Sequence, residues 1–194
     1  MSGAPMLPGL TPDRRLAPRE WMTEDSTRAV LTALGARGTK VRFVGGCVRD
    51  SLVGRTVKDV DIATPDTPEQ VSELLTAARI KVVPTGIAHG TVTAVADGRP
   101  YEITTLRRDV ETDGRRAKVA FTDDWVADAA RRDFTMNAMS ADPDGTIFDP
   151  FGGLADLVVG LVRFVGDAET RIREDVLRIL DEILGTILLD NSRS

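Results

Sequence analysis

Cysteine, histidine and aromatic residues are all scarce in this 194-residue sequence, which has one cysteine, Cys47, one histidine, His89, and 5% aromatic residues. A lone cysteine cannot form a disulfide within the chain, so we expect a reducing, cytoplasmic setting and a small buried side chain at Cys47. No cluster of cysteine and histidine suitable for zinc is present. We expect His89 to be structural, with a phosphate or RNA contact as the alternative.

Long hydrophobic runs and excess positive charge are also missing. No apolar run approaches the roughly 20 residues that span a bilayer, and residues 1–19 mix proline, glycine and charge, unlike a signal peptide. We therefore expect no membrane association. The net charge is −5. Because affinity for RNA comes largely from cationic contacts with phosphates, an RNA-binding role needs locally clustered basic residues or a further surface outside this chain.

The length and the 42% hydrophobic content indicate one compact unit with a small appendage. We predict a flexible leader at 1–19, a head domain at 20–150 and a helical segment at 151–194. The predicted helices are 25–35, 47–52, 67–78, 125–132, 153–159 and one from about 174, and the predicted strands are 41–44, 57–62, 82–83, 91–96 and 101–106. This α/β pattern predicts a mixed sheet of about five strands, a hairpin around 142–145 and a mobile loop at 107–124.

The sequence Asp59-Val60-Asp61 is the strongest local sign of chemistry. Residues two apart on an extended strand point to the same face, which brings the two carboxylates together. Such a pair suits Mg²⁺, which takes one or two carboxylates and completes its shell with waters and phosphate oxygens. Taken alone, a solvated strand end is the commoner interpretation of the same sequence.

A glycine pair, Gly45 and Gly46, precedes the aspartates and opens a predicted helix that contains Arg49. Glycine lets the backbone approach a phosphate, and the helix start offers amide groups to an anion. Arg49 can add a charge-assisted hydrogen bond to a triphosphate. A purely steric role in a tight turn is the alternative, but a phosphate-binding turn and a metal pair at this spacing support each other.

A third carboxylate can come from Glu102 on the predicted strand 101–106. The sheet can place it beside Asp59 and Asp61, where it would join the metal site. Its apolar neighbours equally allow an exposed, solvated glutamate on the outer face of the strand. The sequence leaves both interpretations open.

The segment 131–137, RRDFTMN, combines two cations, an acid and an amide, and its two apolar residues are expected to anchor it in the core. Asp133 and Asn137 can then exchange hydrogen bonds with ribose hydroxyls while Arg132 meets a phosphate. An ordinary helix cap with solvated arginines is the alternative.

The run 174–178, EDVLR, opens the last predicted helix. Asp175 and Arg178 are three residues apart and share one helix face. The aspartate can accept from a base edge and the arginine can donate to it, which suits cytosine and adenine, whereas uracil and guanine reverse that order. A surface ion pair of little energetic weight is the alternative.

Together these motifs resemble the family of class II tRNA nucleotidyltransferases and bacterial poly(A) polymerases, within the polymerase-β nucleotidyltransferase superfamily. The similarity covers roughly residues 39–180. Its ordered elements are Gly45–Asp50, Asp59–Thr64, Tyr101–Arg107, Arg131–Ala138, Asp149–Gly153 and Glu174–Arg178. Six motifs in one order are far more specific than any single motif.

The resemblance implies an α/β fold, with a polymerase-β-like nucleotidyltransferase head followed by a partial helical neck. It implies catalytic Mg²⁺ on Asp59 and Asp61, contacts of Gly46 and Arg49 with the triphosphate, and recognition of the ribose by Arg132 and Asp133. We expect Glu102 to complete the catalytic set. The residues expected to bind the nucleotide are Gly45, Gly46, Arg49, Arg132, Asp133, Asn137, Asp175 and Arg178.

Family members attach CCA to tRNA, with the RNA 3′-hydroxyl attacking the α-phosphate and pyrophosphate leaving. The resemblance therefore implies the tRNA 3′ end, CTP and ATP as partners, with Asp175 and Arg178 as the protein template for the base. It also implies that 149–153 is a flexible connection between head and neck. Poly(A) addition is the alternative within the same family, since the motifs do not separate the two.

The sequence departs from the family after Arg178, where the family continues its helix with further arginines at three-residue steps. This chain instead has Asp181 and Leu184 and ends at Ser194. We expect a truncated or altered form, in which tRNA binding and complete CCA addition are open. A different class of function is an idle nucleotide-binding fragment that forms a homodimer or binds another protein through the apolar residues of its C-terminal helix.

Overall fold

Seven strands form one mixed sheet in the computed structural model, which describes residues 7–110 and 118–169. In chain order the strands are β1 (Arg42–Val44), β2 (Val60–Thr64), β3 (Lys81–Gly86), β4 (Thr91–Ala96), β5 (Arg99–Thr105), β6 (Arg107–Val110), β7 (Lys118–Phe121), β8 (Ser140–Ala141) and β9 (Ile147–Phe148). The sheet order is β3-β4-β5-β2-β1-β8-β9, and β6 pairs with β7 in a separate ribbon. Strands β2 and β5 are parallel, and the other neighbours are antiparallel.

The helices of the described residues are α1 (Glu20–Thr23), α2 (Asp25–Leu34), α3 (Gly46–Leu52), α4 (Pro68–Ala77), α5 (Trp125–Ala130) and α6 (Gly153–Val159). Local sequence explains several of their ends. Thr67 and Gln70 form a reciprocal capping box at the start of α4, with Pro68 at its first position. Asp124 caps α5 by accepting from the backbone N–H groups of Val126 and Ala127 at 2.8 and 3.1 Å.

One face of the sheet forms the core, because alternate residues along each strand point to opposite faces. Phe43, Ile62 and Ile103 lie on that face and are fully or almost fully buried. Tyr101 lies there as well, and its hydroxyl donates to Oγ of Ser26 in α2 at 2.8 Å. The opposite face of β2 and β5 is therefore left for polar residues.

The α/β class and the mixed sheet predicted from the sequence are confirmed, with more strands than the expected five or so. The two additional strands, β8 and β9, are two residues each and form the hairpin predicted around 142–145. Such short strands have too few residues to show a period of two, so the turn residues alone indicated them.

The leader predicted to be flexible at 1–19 is ordered in its described part, residues 7–19. Leu16 is only 2% exposed and belongs to the main core. The N–H of Gly9 donates to the carbonyl of Leu52 at 2.8 Å, and the N–H of Leu16 donates to the carbonyl of Gly145 at 2.8 Å. The prediction was wrong here because proline and glycine were taken as signs of flexibility, whereas the leucines between them find apolar partners in the fold.

The mobile loop predicted at 107–124 is also wrong in its described part. Residues 107–110 and 118–121 pair as an antiparallel ribbon in register from Arg107–Phe121 to Val110–Lys118. Strands β6 and β7 have four residues each, too few to show a hydrophobic period, so the pattern missed their pairing. Residues 111–117 lie outside the described residues.

The first part of the predicted neck packs on the head. The rings of Phe164 and Phe134 lie 4.9 Å apart, and Leu154 of α6 is buried in the main core. The boundary predicted at residue 150 stays a prediction, and residues 170–194 lie outside the described residues. Within 7–110 and 118–169, no helix is long and apolar enough to cross a membrane.

The packing of the leader predicts a stability cost for Leu16→Ala. Removing a buried leucine side chain leaves a cavity and should lower the free energy of unfolding by about 2–5 kcal/mol. The control is Leu161→Ala, because Leu161 is 48% exposed and should change that free energy by less than about 0.5 kcal/mol. Urea unfolding measures both, and equal values for the two variants would contradict the packing.

Candidate active site

Two acidic side chains face each other across the parallel strands β2 and β5. Asp61 pairs in register with Glu102, and neighbouring strands lie about 4.8 Å apart. Asp59 lies just before β2 and is exposed. Since Val60 and Ile62 point into the core, Asp61 must point to the opposite face. The register therefore brings Glu102 to the aspartates, which the sequence left open.

The environment of Asp61 disfavours its negative charge. Its pKa is raised to about 6, first by burial and then by the charge of Glu102, with a smaller contribution from Asp59, while the cation of Arg132 acts in the opposite direction. Like charges held this close favour a cation between them. The donor set is all carboxylate oxygen, which suits a hard divalent cation.

No group of three or more His, Cys, Asp or Glu side chains among residues 7–110 and 118–169 is already arranged as a complete metal site. This is compatible with Mg²⁺, which commonly takes one or two protein carboxylates and receives its other oxygens from water and substrate phosphates. Asp59 and Asp61 can supply the two carboxylates.

The glycine turn lies directly beside Asp61. Gly45 has φ of +69° and caps α3, and its N–H donates to the carbonyl of Met139 at 3.3 Å. A Cβ atom on Gly45 would lie 2.9 Å from Nη1 of Arg132 and 4.0 Å from Oδ2 of Asp61. The backbone conformation thus favours glycine, and a side chain there would displace the Arg132 guanidinium, which lies over the turn next to the carboxylate.

Arg49 is held beside the second glycine of the same turn. Its Nη1 donates to Oδ1 of Asn137 at 2.7 Å and its Nε donates to Oδ1 of Asp50 at 2.9 Å. A Cβ atom on Gly46 would lie 3.6 Å from Nη2 of Arg49. Two acceptors fix the guanidinium plane beside the glycines, and Asn137 contacts this arginine directly.

The segment 131–137 is anchored as predicted. Phe134 and Met136 are buried, and the carbonyl of Asp133 accepts from the N–H of Val165 at 2.9 Å. The two arginines separate from each other: Arg131 pairs with Asp109 of the ribbon at 2.6 Å, whereas Arg132 reaches the glycine turn. The sequence could not distinguish them.

Sequence reasoning missed Asp128, a buried carboxylate on α5. Its Oδ1 accepts from the N–H of Arg107 at 2.9 Å, and its Oδ2 lies 3.7 Å from Nη2 of Arg132. The sequence did contain a sign of this ion pair: Asp128 and Arg132 are four residues apart, a spacing that places oppositely charged side chains on one face of a helix.

Three of the residues considered in the sequence lie elsewhere or outside the described residues. Asp175 and Arg178 lie outside them. His89 is exposed, and its carbonyl accepts from Nη1 of Arg107 at 2.5 Å. Cys47 is buried as predicted and donates to the carbonyl of Val44 at 3.2 Å.

Facing carboxylates on a parallel strand pair, beside a glycine turn and two arginines, place this fold in the class of nucleotidyltransferase heads. Residues 41–163, more than half of the chain, match the family described as the poly A polymerase head domain. The chain belongs to this family. Membership implies the use of a divalent metal, in agreement with the carboxylates of the site.

Relatives in animals and bacteria are closely similar over the same region. CCA tRNA nucleotidyltransferase 1, mitochondrial, of Mus musculus is 51% identical over 152 residues, covering 77% of this chain and 35% of the mouse protein. A CCA-adding enzyme of Oceanobacillus iheyensis is 48% identical over 153 residues, covering 78% and 37%. The chain thus spans little more than a third of the length of these relatives.

A solved structure supports the fold. The Bacillus stearothermophilus CCA-adding enzyme in complex with CTP superposes with a TM-score of 0.70 and 42% identity, covering 79% of this chain and 36% of that one. A tRNA nucleotidyltransferase complexed with a primer tRNA and an incoming ATP analog has a TM-score of 0.61 and 32% identity. The nucleotidyltransferase head fold expected from the motifs is confirmed.

The burial of Cys47 predicts an unreactive thiol. Burial raises the pKa of Cys47 to about 12, so the thiol stays protonated at pH 8 and lacks the nucleophilic thiolate. Ellman's reagent at pH 8 should leave the native chain unlabelled and should label one thiol per chain in guanidinium chloride, which is the internal control. Rapid labelling of the folded protein would show that Cys47 is accessible.

Proposed function

We propose that this chain is the catalytic head of an enzyme that adds C and A to the 3′ end of tRNA from CTP and ATP. The observation that supports this most strongly is the register that sets Asp61 opposite Glu102, beside the Gly45 turn and Arg132. The relatives named as CCA-adding enzymes, and the similar structures with CTP or with a primer tRNA and an ATP analog, support the same assignment.

In this proposal Asp59 and Asp61 hold Mg²⁺ and Glu102 is the third carboxylate of the catalytic set. Held by these carboxylates, Mg²⁺ would lower the pKa of the RNA 3′-hydroxyl, so that its proton passes to solvent, and would offset the charge that develops on the α-phosphate. The 3′-oxygen forms a bond to the α-phosphorus as the bond to pyrophosphate breaks. Asp59 is exposed and Asp61 half-buried, so the pair faces solvent on one side, where substrate enters, and the sheet on the other.

The cations around the glycine turn are proposed to bind the rest of the nucleotide. Gly45, Gly46 and Arg49 meet the triphosphate, since Nη2 of Arg49 lies 3.6 Å from the Cβ position of Gly46 and glycine leaves room for a phosphate beside it. Arg132, with Asp133 and Asn137, meets the ribose. Asn137 has a second role, because its amide oxygen orients Arg49.

Base selection is proposed for Asp175 and Arg178 from their spacing and hydrogen-bonding groups alone, as both lie outside the described residues. Poly(A) addition is the second candidate, favoured by the description of the matched family. Sequencing the products formed with CTP and ATP together separates the two activities. The cytoplasmic location, and self-association through the C-terminal helix as a homodimer, stay predictions.

The metal assignment predicts that Asp59→Asn abolishes incorporation while the fold is kept. The substitution removes one metal-binding charge from an exposed side chain, and we expect a loss of at least about 100-fold in rate. The assay combines the chain, Mg²⁺, one labelled nucleoside triphosphate at a time and a tRNA transcript lacking CCA. The control is Asp97→Asn, because Asp97 is also exposed and lies in the β4–β5 turn; it should leave incorporation of C and A intact. Unchanged turnover in Asp59→Asn would disprove the metal role.

The geometry of the glycine turn predicts a specific effect of Gly45→Ala. The new methyl group would displace Arg132, whose Nη1 lies 2.9 Å from the Cβ position, and we expect binding of ATP with Mg²⁺ to weaken by about tenfold or more, or about 1.4 kcal/mol. Gly98→Ala is a matched control, since Gly98 also has positive φ, +78°, but no atom lies within 4 Å of its Cβ position. Calorimetry that finds equal affinities in both variants would contradict the contact.

A further inference from the structure

The carboxylate of Asp128 is buried between two structures that the proposed function treats separately. Asp128 is 8% exposed. One of its oxygens accepts from the N–H of Arg107, the first residue of the β6–β7 ribbon, and the other faces the guanidinium of Arg132. A single side chain therefore contacts both the base of the ribbon and an arginine of the nucleotide site.

The base of the ribbon is fixed by further contacts of the same kind. Nη1 of Arg107 donates to the carbonyl of His89, and Nε of Arg131 donates to Oδ1 of Asp109. Strand β6 is thus attached to the fold at Arg107 and at Asp109, in addition to the contact of Asp128.

Two carboxylates act on the cation of Arg132. Nη1 of Arg132 and Oδ2 of Asp61 lie 2.9 and 4.0 Å from the same Cβ position at Gly45, and the cation partly offsets the burial and the Glu102 charge that raise the pKa of Asp61. Asp128 lies on the other side at 3.7 Å, which is an ion pair longer than a hydrogen bond. Without the Asp128 charge, attraction from Asp61 is unopposed, and the guanidinium moves toward the carboxylate that is proposed to bind metal.

We propose that Asp128 is a positioning residue that holds Arg132 over the Gly45 turn and keeps it from pairing with Asp61. The inference rests on the proposed function, because it assumes that Arg132 contacts the nucleotide and that Asp61 binds the metal. Asp128 itself contacts neither. Its effect on substrate should therefore pass entirely through Arg132.

Binding of ATP with Mg²⁺ to the full chain tests this with Asp128→Asn. The amide oxygen can still accept from the N–H of Arg107, so the substitution removes the charge and leaves the ribbon contact. We expect affinity to fall by about fivefold or more, within the range for coupled neighbours, with the unfolding temperature close to that of the wild type. Asp109→Asn is the matched control, since it breaks the ion pair of Arg131 and does not touch Arg132; its affinity should stay within twofold of the wild type.

A double-mutant cycle with Arg132→Ala distinguishes a positioning role from a merely structural one, because it measures whether the effect of Asp128→Asn on affinity depends on Arg132. If Asp128 acts through Arg132, Asp128→Asn should have no further effect on affinity in the Arg132→Ala background. Wild-type affinity in Asp128→Asn, or an equal loss in both backgrounds, overturns the inference and leaves the proposed function standing. A folded wild-type chain that does not bind ATP with Mg²⁺ overturns both together.

Asp128→Glu covers the case in which the asparagine variant does not fold. It keeps the charge and shifts it by one methylene group, so we expect a smaller loss of affinity that again disappears in the Arg132→Ala background. An affinity equal to that of the wild type would contradict a geometric role for Asp128.

Discussion

The parallel pairing of β2 with β5 forces Asp61 and Glu102 into one register on one face of the sheet, and the rest of the site is arranged around these like charges. Neither residue can move to the other face of the sheet, because its neighbours along the strand are packed in the core. Burial and mutual repulsion raise the pKa of Asp61 to about 6. Such an arrangement is stable at neutral pH only with positive charge close by, which Arg132 supplies in part and a divalent cation can complete.

Arginines that look alike in the sequence have different roles in this setting. Arg42 is buried: its guanidinium carbon lies 3.5 Å from the ring centre of Phe148 and 4.3 Å from that of Trp125, and its Nε donates to Asp142 at 3.0 Å. This is a structural cation. Arg49 and Arg132 instead converge on the glycine turn. A chain with a net charge of −5 therefore still concentrates two cations at this turn.

Features specified by neighbours in the chain were predicted well. The helix over 67–78 follows from a capping box and a proline, and the β4–β5 hairpin follows from alternation on both sides of a short turn. Features that depend on distant partners were predicted poorly. The leader was expected to be flexible, yet Leu16 packs in the core, and the segment 107–124 was expected to be a loop, yet Arg107 begins a ribbon held by Asp128. Local composition contains no information about such contacts.

The sequence by itself determined the fold class, the family resemblance and the types of residue in the site, because motif order and hydrophobic period are properties of the chain. Only the tertiary structure decided which of these residues meet. In the structure Glu102 lies beside Asp61, Arg131 pairs with the ribbon and Arg132 lies at the glycine turn. Asp128 contacts both the ribbon and Arg132. The physical reason is that strand register and helix packing, which join residues far apart in the chain, fix side-chain distances to within an ångström or so, and electrostatic interactions between charged groups depend on those distances.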